Sequence, residues 1–290
     1  MKDNIKIFFE LLRIRQWIKN FLIYIALIFT NNLFNFNLLL KTTVGFILLC
    51  FASSSIYIFN DIKDAKEDRY HPIKKNRPIA SGKIKSSFAI SISLIMLLVS
   101  LFGSFIIEKN FFVIILVYIL LSVAYTFKLK NIVILDILIV ATNYVLRAVS
   151  GAIIINVEIS PWLLICTSLL ALFVILAKRR YELSLSSAIK HRKILQEYSI
   201  PLLDEMISVT TASTISAYAL YTFTSETALK HNYLLLTMPF VLYGIFRYLY
   251  LIHKKNLGGN PEYIFTKDIP TIINIILWIL SIIIIVYFVK

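Results

Sequence analysis

Long apolar runs and short polar interruptions alternate along this chain, and the run lengths decide its fold class. Apolar segments fall at about 21–33, 42–59, 86–107, 111–127, 132–155, 161–177, 204–223, 233–252 and 269–288. Most approach the roughly 20 residues that an α-helix needs to cross a bilayer. The pattern predicts an all-α membrane protein, a bundle of about nine transmembrane helices, with its polar stretches on loops. No composition shift or linker divides residues 1–290, so one domain is expected. Ahead of the first run, Ile5, Phe8, Phe9 and Leu12 alternate at helical spacing with Lys2, Lys6, Glu10 and Arg13. Residues 1–20 therefore read as an amphipathic segment on the membrane surface, with Arg13, Arg15 and Lys19 toward anionic head groups. The run at 204–223 is poor in Leu and rich in Ser, Thr and Ala, as in helices that pack closely on neighbours.

Composition agrees with the pattern. The chain is 59% hydrophobic and its mean hydropathy is +0.80, outside the range of a soluble domain of this size. A formal net charge of +14 raises the question of a nucleic-acid partner. Its distribution argues against one, because the basic residues concentrate in alternate loops. That asymmetry places the N-terminus and the loops at 60–85, 128–130, 178–193 and 254–267 in the cytoplasm of a cell with a multi-pass inner membrane. Cys50 and Cys166 lie far apart inside apolar runs, with neither disulfide nor metal spacing. Residues 1–20 lack a hydrophobic h-region and cleavage site, so no cleavable signal is expected.

The candidate chemistry concentrates in residues 60–82, NDIKDAKEDRYHPIKKNRPIASG. On a helix, Asp61, Asp64 and Asp68 would share one face. Three like charges on a stripe repel one another, and a Mg2+ ion shared with substrate phosphates would gather them. Arg69, Lys74 and Arg77 follow as a basic loop. The alternative is a solvated loop whose acids and bases neutralise one another. His71, before Pro72, is either a base or a residue that ends the helix. Lys178, Arg179 and Arg180, with Tyr181 and Glu182, stand where a helix leaves the bilayer. They read either as topological anchors or as phosphate ligands. Within the run at 132–155, Asp136, Asn143 and Arg147 lie at membrane depth, where ionisable groups face a bundle interior or a wet cavity. Arg147 is open between a structural salt bridge and an anionic head group. His191, Arg192, Lys193 and Tyr198 fit a surface helix without chemistry.

These motifs carry a resemblance. SSSIYIFNDIKDAKEDRYHPIKKNRPIASG, at 53–82, resembles the first aspartate-rich motif of the UbiA superfamily of intramembrane prenyltransferases. Its continuation is similar to the decaprenyl-phosphate phosphoribosyltransferase branch. RQWIKN at 15–20, LRA at 146–148 with Ser150 and Gly151, KRRYEL at 178–183, and GGNPE at 258–262 with Asp268 agree with that branch in order and spacing. Typical members carry a second aspartate-rich motif where this chain has KRRYEL. That departure puts ordinary prenyl transfer in doubt.

The resemblance implies a nine-helix bundle, Mg2+, 5-phosphoribosyl 1-diphosphate as donor and a polyprenyl phosphate as acceptor. Asn60, Asp61, Asp64 and Asp68 would hold metal. Arg69, Lys74, Arg77, Lys178, Arg179, Arg180, Tyr181 and Glu182 would meet the donor, with Lys19 and Arg147 near anionic head groups. The alternative enzyme moves a prenyl group from a prenyl diphosphate to an aromatic or glyceryl acceptor. A transporter is disfavoured because the polar residues sit in loops rather than at the bilayer midplane, and no internal repeat is visible.

Overall fold

The computed structural model describes residues 2–70, 74–185 and 193–289. The expectations for His71, His191 and Arg192, and for the side chain of Lys193, lie outside the described residues. The described residues are helical and contain no strand. They form α1 (Lys2–Leu12), a 3-10 helix (Ile14–Tyr24), α2 (Ile25–Phe29), α3 (Phe36–Lys63) and α4 (Ala65–Asp68). Then follow α5 (Ser86–Ile107), α6 (Lys109–Phe127), α7 (Leu135–Ile154) and α8 (Pro161–Ser184). The chain ends with α9 (Ile200–Thr224), α10 (Glu226–Lys230), α11 (Met238–Lys255), α12 (Pro261–Lys267) and α13 (Ile269–Phe288). Among the described residues, seven helical segments are long and apolar enough to cross a membrane: α3, α5, α6, α7, α8, the stretch 232–255 and α13.

Burial separates central helices from outer ones. In α3, 61% of the apolar window is buried, against 17% in α5. The outer helices turn Leu98, Phe102 and Ile106 away from the protein. Such a surface is stable only where the solvent is itself apolar. α7 is the other central helix and packs on α8 and on the 3-10 segment.

Polar side chains link these central elements. Ser53, Ser54 and Ser55 are consecutive on α3, so their side chains point about 100° apart and meet three neighbours. Asn20 donates to Ser53 (3.3 Å), Ser54 donates to the Leu12 carbonyl (2.7 Å), and Ser55 donates to the Ser93 carbonyl (2.9 Å). Trp17 donates to Ser54 at 2.9 Å. Three serines thereby fasten the 3-10 segment, the end of α1, and α5 to one helix.

The first apolar run differs from its expected form. In place of a surface helix through Trp17 and an α-helical span at 21–33, α1 stops at Leu12. Arg13 then turns left-handed (φ 51°), and a 3-10 helix of 11 residues follows. A repeat of three puts Ile14, Trp17, Asn20 and Ile23 on one face, and that face packs on α3 and α7. The approach to α7 is close. A Cβ at Gly151 would lie 1.9 Å from the Ile23 carbonyl oxygen, so only glycine fits there.

Candidate active site

The acidic stripe does not continue as one helix. α3 ends at Lys63, Asp64 caps it, and α4 restarts at Ala65. The three carboxylates have different surroundings. Asp61 and Asp68 are buried, whereas Asp64 is about 30% exposed and lies 3.9 Å from Lys130. Arg77 joins the buried pair. Its Nη1 donates to Asp61 Oδ1 at 2.9 Å and to Asp68 Oδ2 at 2.6 Å. Arg13 makes a two-pronged contact with Asp61, through Nε to Oδ2 (3.1 Å) and through Nη2 to Oδ1. The repulsion within the stripe is thus relieved by guanidinium groups of this chain. Asn60 accepts from Thr126 at 2.6 Å. Arg69 is exposed beside α4.

Two hard anionic oxygens converging on one positive nitrogen suit a divalent cation. Among the described residues no three carboxylate, imidazole or thiol groups form a metal cluster. Mg2+ takes one or two carboxylates and completes its shell with water and phosphate oxygens, so Asp61 and Asp68 fit it.

Beside Asn60, a cavity of about 110 Å³ enters the bundle. Lys19, Tyr57, Asn60, Tyr118, Tyr125, Asn143, Tyr144 and Arg147 supply its polar lining. Arg147 is buried but, among the described residues, has no carboxylate partner. It donates to Asn20 Oδ1 (2.7 Å), the Asn143 carbonyl (2.7 Å) and the Tyr118 hydroxyl (2.9 Å). It also lies 4.9 Å from the Tyr118 ring centroid and 5.4 Å from that of Tyr144. The salt bridge open to it in the sequence is not formed. A buried cation held by neutral oxygens and π faces keeps its charge available to an anion in the cavity.

Lys19 stands at the same cavity and pairs with Glu262 at 2.6 Å. Burial alone would raise the Glu262 carboxyl pKa, but the ammonium groups of Lys19 and Lys178 outweigh it and hold the group below its ordinary value. Glu262 is a functional neighbour to which sequence reasoning assigned no role of its own. Its signal was the GGNPE stretch. A Cβ at Gly259 would fall 2.1 Å from Cδ1 of Tyr181, so the glycine lets this loop lie on the α8 aromatic ring and carry Glu262 to Lys19. Gly259→Val should therefore lift the loop, costing about 1–3 kcal/mol of stability. A thermal melt of the detergent-solubilised variant checks this, and an unchanged melting temperature would contradict the packing.

The basic cluster at the end of α8 divides. Arg179 is buried and donates to Asp136 (2.9 Å), Glu182 (2.7 Å) and the Tyr125 hydroxyl (3.2 Å) at the cavity wall. Arg180 turns to Asp204 of α9 (2.5 Å), outside the cavity lining, and Tyr181 lies under the glycine loop. Tyr198, expected on the surface, is instead buried. Its hydroxyl donates to Asp136 (2.7 Å) and accepts from the Ile134 amide (2.7 Å). Burial, then the bond to Asp136, pushes its pKa up to about 12. Lys74, on the basic loop after α4, is held below the ordinary lysine pKa by burial and by Arg77 beside it, against the pull of Asp68, Glu182 and Asp64. A larger groove of about 400 Å³ between α9 and α11 holds none of the sequence-predicted site residues.

The chain is similar to known proteins. Residues 21–266 match the UbiA prenyltransferase family. A decaprenyl-phosphate phosphoribosyltransferase of Mycolicibacterium smegmatis is 32% identical, covering 95% of this chain and 91% of the relative. One from Corynebacterium glutamicum is 29% identical over 95% and 85%. Among solved structures, a UbiA homolog from Archaeoglobus fulgidus bound to DMAPP and Mg2+ superposes with a TM-score of 0.74 at 19% identity, covering 95% and 98% of the two chains. At that identity the likeness speaks for the fold alone.

Proposed function

Because this chain belongs to the UbiA prenyltransferase family, we propose that it is the phosphoribosyl-transferring kind of member. It moves the 5-phosphoribosyl group from 5-phosphoribosyl 1-diphosphate to a polyprenyl phosphate. The C1–oxygen bond to diphosphate breaks, C1 bonds to an oxygen of the lipid phosphate, and diphosphate leaves. The observation that carries this reading is the end of α8. Arg179 reaches the wall of the cavity holding Lys19 and Arg147 through Tyr125, and the Lys178 ammonium acts on Glu262, the partner of Lys19, where a second acidic motif would serve a prenyl diphosphate. The sequence names of the Mycolicibacterium and Corynebacterium relatives support the same reading.

Asp61 and Asp68, with Asn60 and Asp64 beside them, would hold Mg2+, which when bound neutralises charge growing on the leaving diphosphate. Lys74, Arg77 and Lys178 bind phosphate oxygens of the donor, and Arg179 orients the wall through Tyr125. Lys19 and Arg147 hold the acceptor phosphate. That acceptor is already anionic, so the reaction needs no strong general base. We assign Arg180 and Tyr181 to docking α8 on α9 and on the glycine loop.

We also propose nine crossings, with the N-terminus and the three long polar loops cytoplasmic. The first crossing is the 3-10 helix and α2. At about 2.0 Å per 3-10 residue and 1.5 Å per α residue it is roughly 30 Å long, the thickness of the hydrocarbon core. α9 is the other, its Ser and Thr lowering hydropathy without shortening it.

The deciding experiment incubates purified protein with Mg2+, polyprenyl phosphate and labelled 5-phosphoribosyl diphosphate. Label should enter the organic phase and fail to do so with EDTA. Transfer from a prenyl diphosphate instead would establish the conventional family reaction.

A further inference from the structure

Arg13 is the residue whose placement the proposed chemistry leaves unexplained. It sits at the junction of α1 and the 3-10 helix with φ 51° and ψ 45°. Left-handed backbone costs a non-glycine residue about 1 kcal/mol or more and persists where surroundings over-determine it. Here the surroundings are Asp61, gripped through both carboxylate oxygens, and the Tyr57 ring, whose centroid lies 5.2 Å from the guanidinium carbon. Tyr57 lines the cavity. The side chain is only 23% exposed and Asp61 3%, so the pair is not a surface ion pair of negligible worth. A planar fork on a carboxylate is equally suited to a phosphate.

We infer that Arg13 is a diphosphate-binding residue that Asp61 holds in reserve until a divalent cation takes that carboxylate. A divalent cation on Asp61 competes with Arg13, because the two positive charges repel across one carboxylate and Oδ1 already accepts from both Arg13 and Arg77. When Asp61 exchanges partners, Arg13 is left beside the cavity with an unsatisfied guanidinium, and the phosphate oxygens that arrive with the cation satisfy it. Cation binding and phosphate recognition are thereby coupled through one side chain. The inference rests on the metal assignment to Asp61, but not on the identity of the group transferred.

The test therefore uses probes that contain neither ribose nor lipid. Mn2+ binding to the detergent-purified protein is followed by electron paramagnetic resonance, first alone and then with inorganic diphosphate. In Arg13→Ala, Mn2+ alone should bind about tenfold more tightly, because its competitor for Asp61 is gone. Diphosphate should then bind the Mn2+-loaded variant at least about tenfold more weakly. Arg13→Lys, which keeps the charge but loses the fork, should fall between and guards against a folding defect in the alanine variant. Unchanged affinities for both probes in both variants would reduce Arg13 to a structural anchor. Weaker Mn2+ binding in Arg13→Ala would show that Arg13 orients Asp61 rather than competing for it, and would overturn the inference. Tighter Mn2+ binding with unaltered diphosphate affinity would overturn it equally, since the phosphate half would be absent.

Discussion

Asp61→Asn should abolish turnover, by about 10³-fold or more, while leaving the protein folded and inserted. The substitution is nearly isosteric and keeps one oxygen that accepts from Arg13 and Arg77. What it removes is the negative charge that would hold a divalent cation against a leaving diphosphate. Asp61 is also the carboxylate on which Arg13 and Arg77 both converge. Its neutralisation leaves two cations facing each other across an amide, a strain that their side chains relieve by turning to solvent. The measurement is label transfer at saturating donor together with a melting curve. Retained activity with an intact fold would remove Asp61 from the metal assignment.

Asp136→Ala should act in the opposite sense, on the fold first. Asp136 is fully buried and takes hydrogen bonds from Arg179 and from Tyr198. Removing one partner of a buried ion pair costs about 3–5 kcal/mol because the other charge is left without compensation. Glu182 still holds one arm of Arg179, which places the expected loss at the lower end, about 3 kcal/mol. The backbone adds to the cost. Ile134, two residues earlier, has φ 69°, and the Leu135 amide donates to the Val133 carbonyl at 2.8 Å, a tight γ-turn rarely adopted by a β-branched residue. Tyr198 clamps that turn through the Ile134 amide and ties it to Asp136. Thermal inactivation in detergent should therefore accelerate strongly in Asp136→Ala and less in Asp136→Asn. A variant as stable as the parent would mean that Arg179 has found another partner.

The long apolar helices were legible because membrane spans announce themselves by length, and the aspartate motif because charge between apolar runs is conspicuous. Period was harder. Trp17, Asn20 and Ile23 repeat every three residues, a 3-10 signature, yet the surrounding Arg15, Lys19 and Ile18 suit an α-helical reading equally well. The choice was made by tertiary partners: Ser53 and Ser54, Arg147, and the naked backbone at Gly151. Asp64 shows the same limit. Its spacing from Asp61 placed it on a common face, but Asp64 is the cap at the end of α3, partly exposed and 3.9 Å from Lys130. Tyr198 reads as part of a surface helix and Glu262 as part of a loop, because nothing local distinguishes a segment that lies on the surface from one that tucks a side chain inward. Only the partner, Asp136 in one case and Lys19 in the other, makes the difference.

Asp61, Asp68 and Lys19 all find oppositely charged partners within this chain. Guanidinium groups pair with the carboxylates proposed to hold a cation, and the Glu262 carboxylate pairs with the ammonium proposed to meet a phosphate. Buried charges left alone would cost several kcal/mol each, and a nascent chain in the bilayer has no substrate to supply partners. With these internal partners the buried carboxylates and the Lys19 ammonium are neutralised by the fold itself. Loading is then a trade of partners within a finished scaffold, and each departing product returns the charges to the residues that held them before.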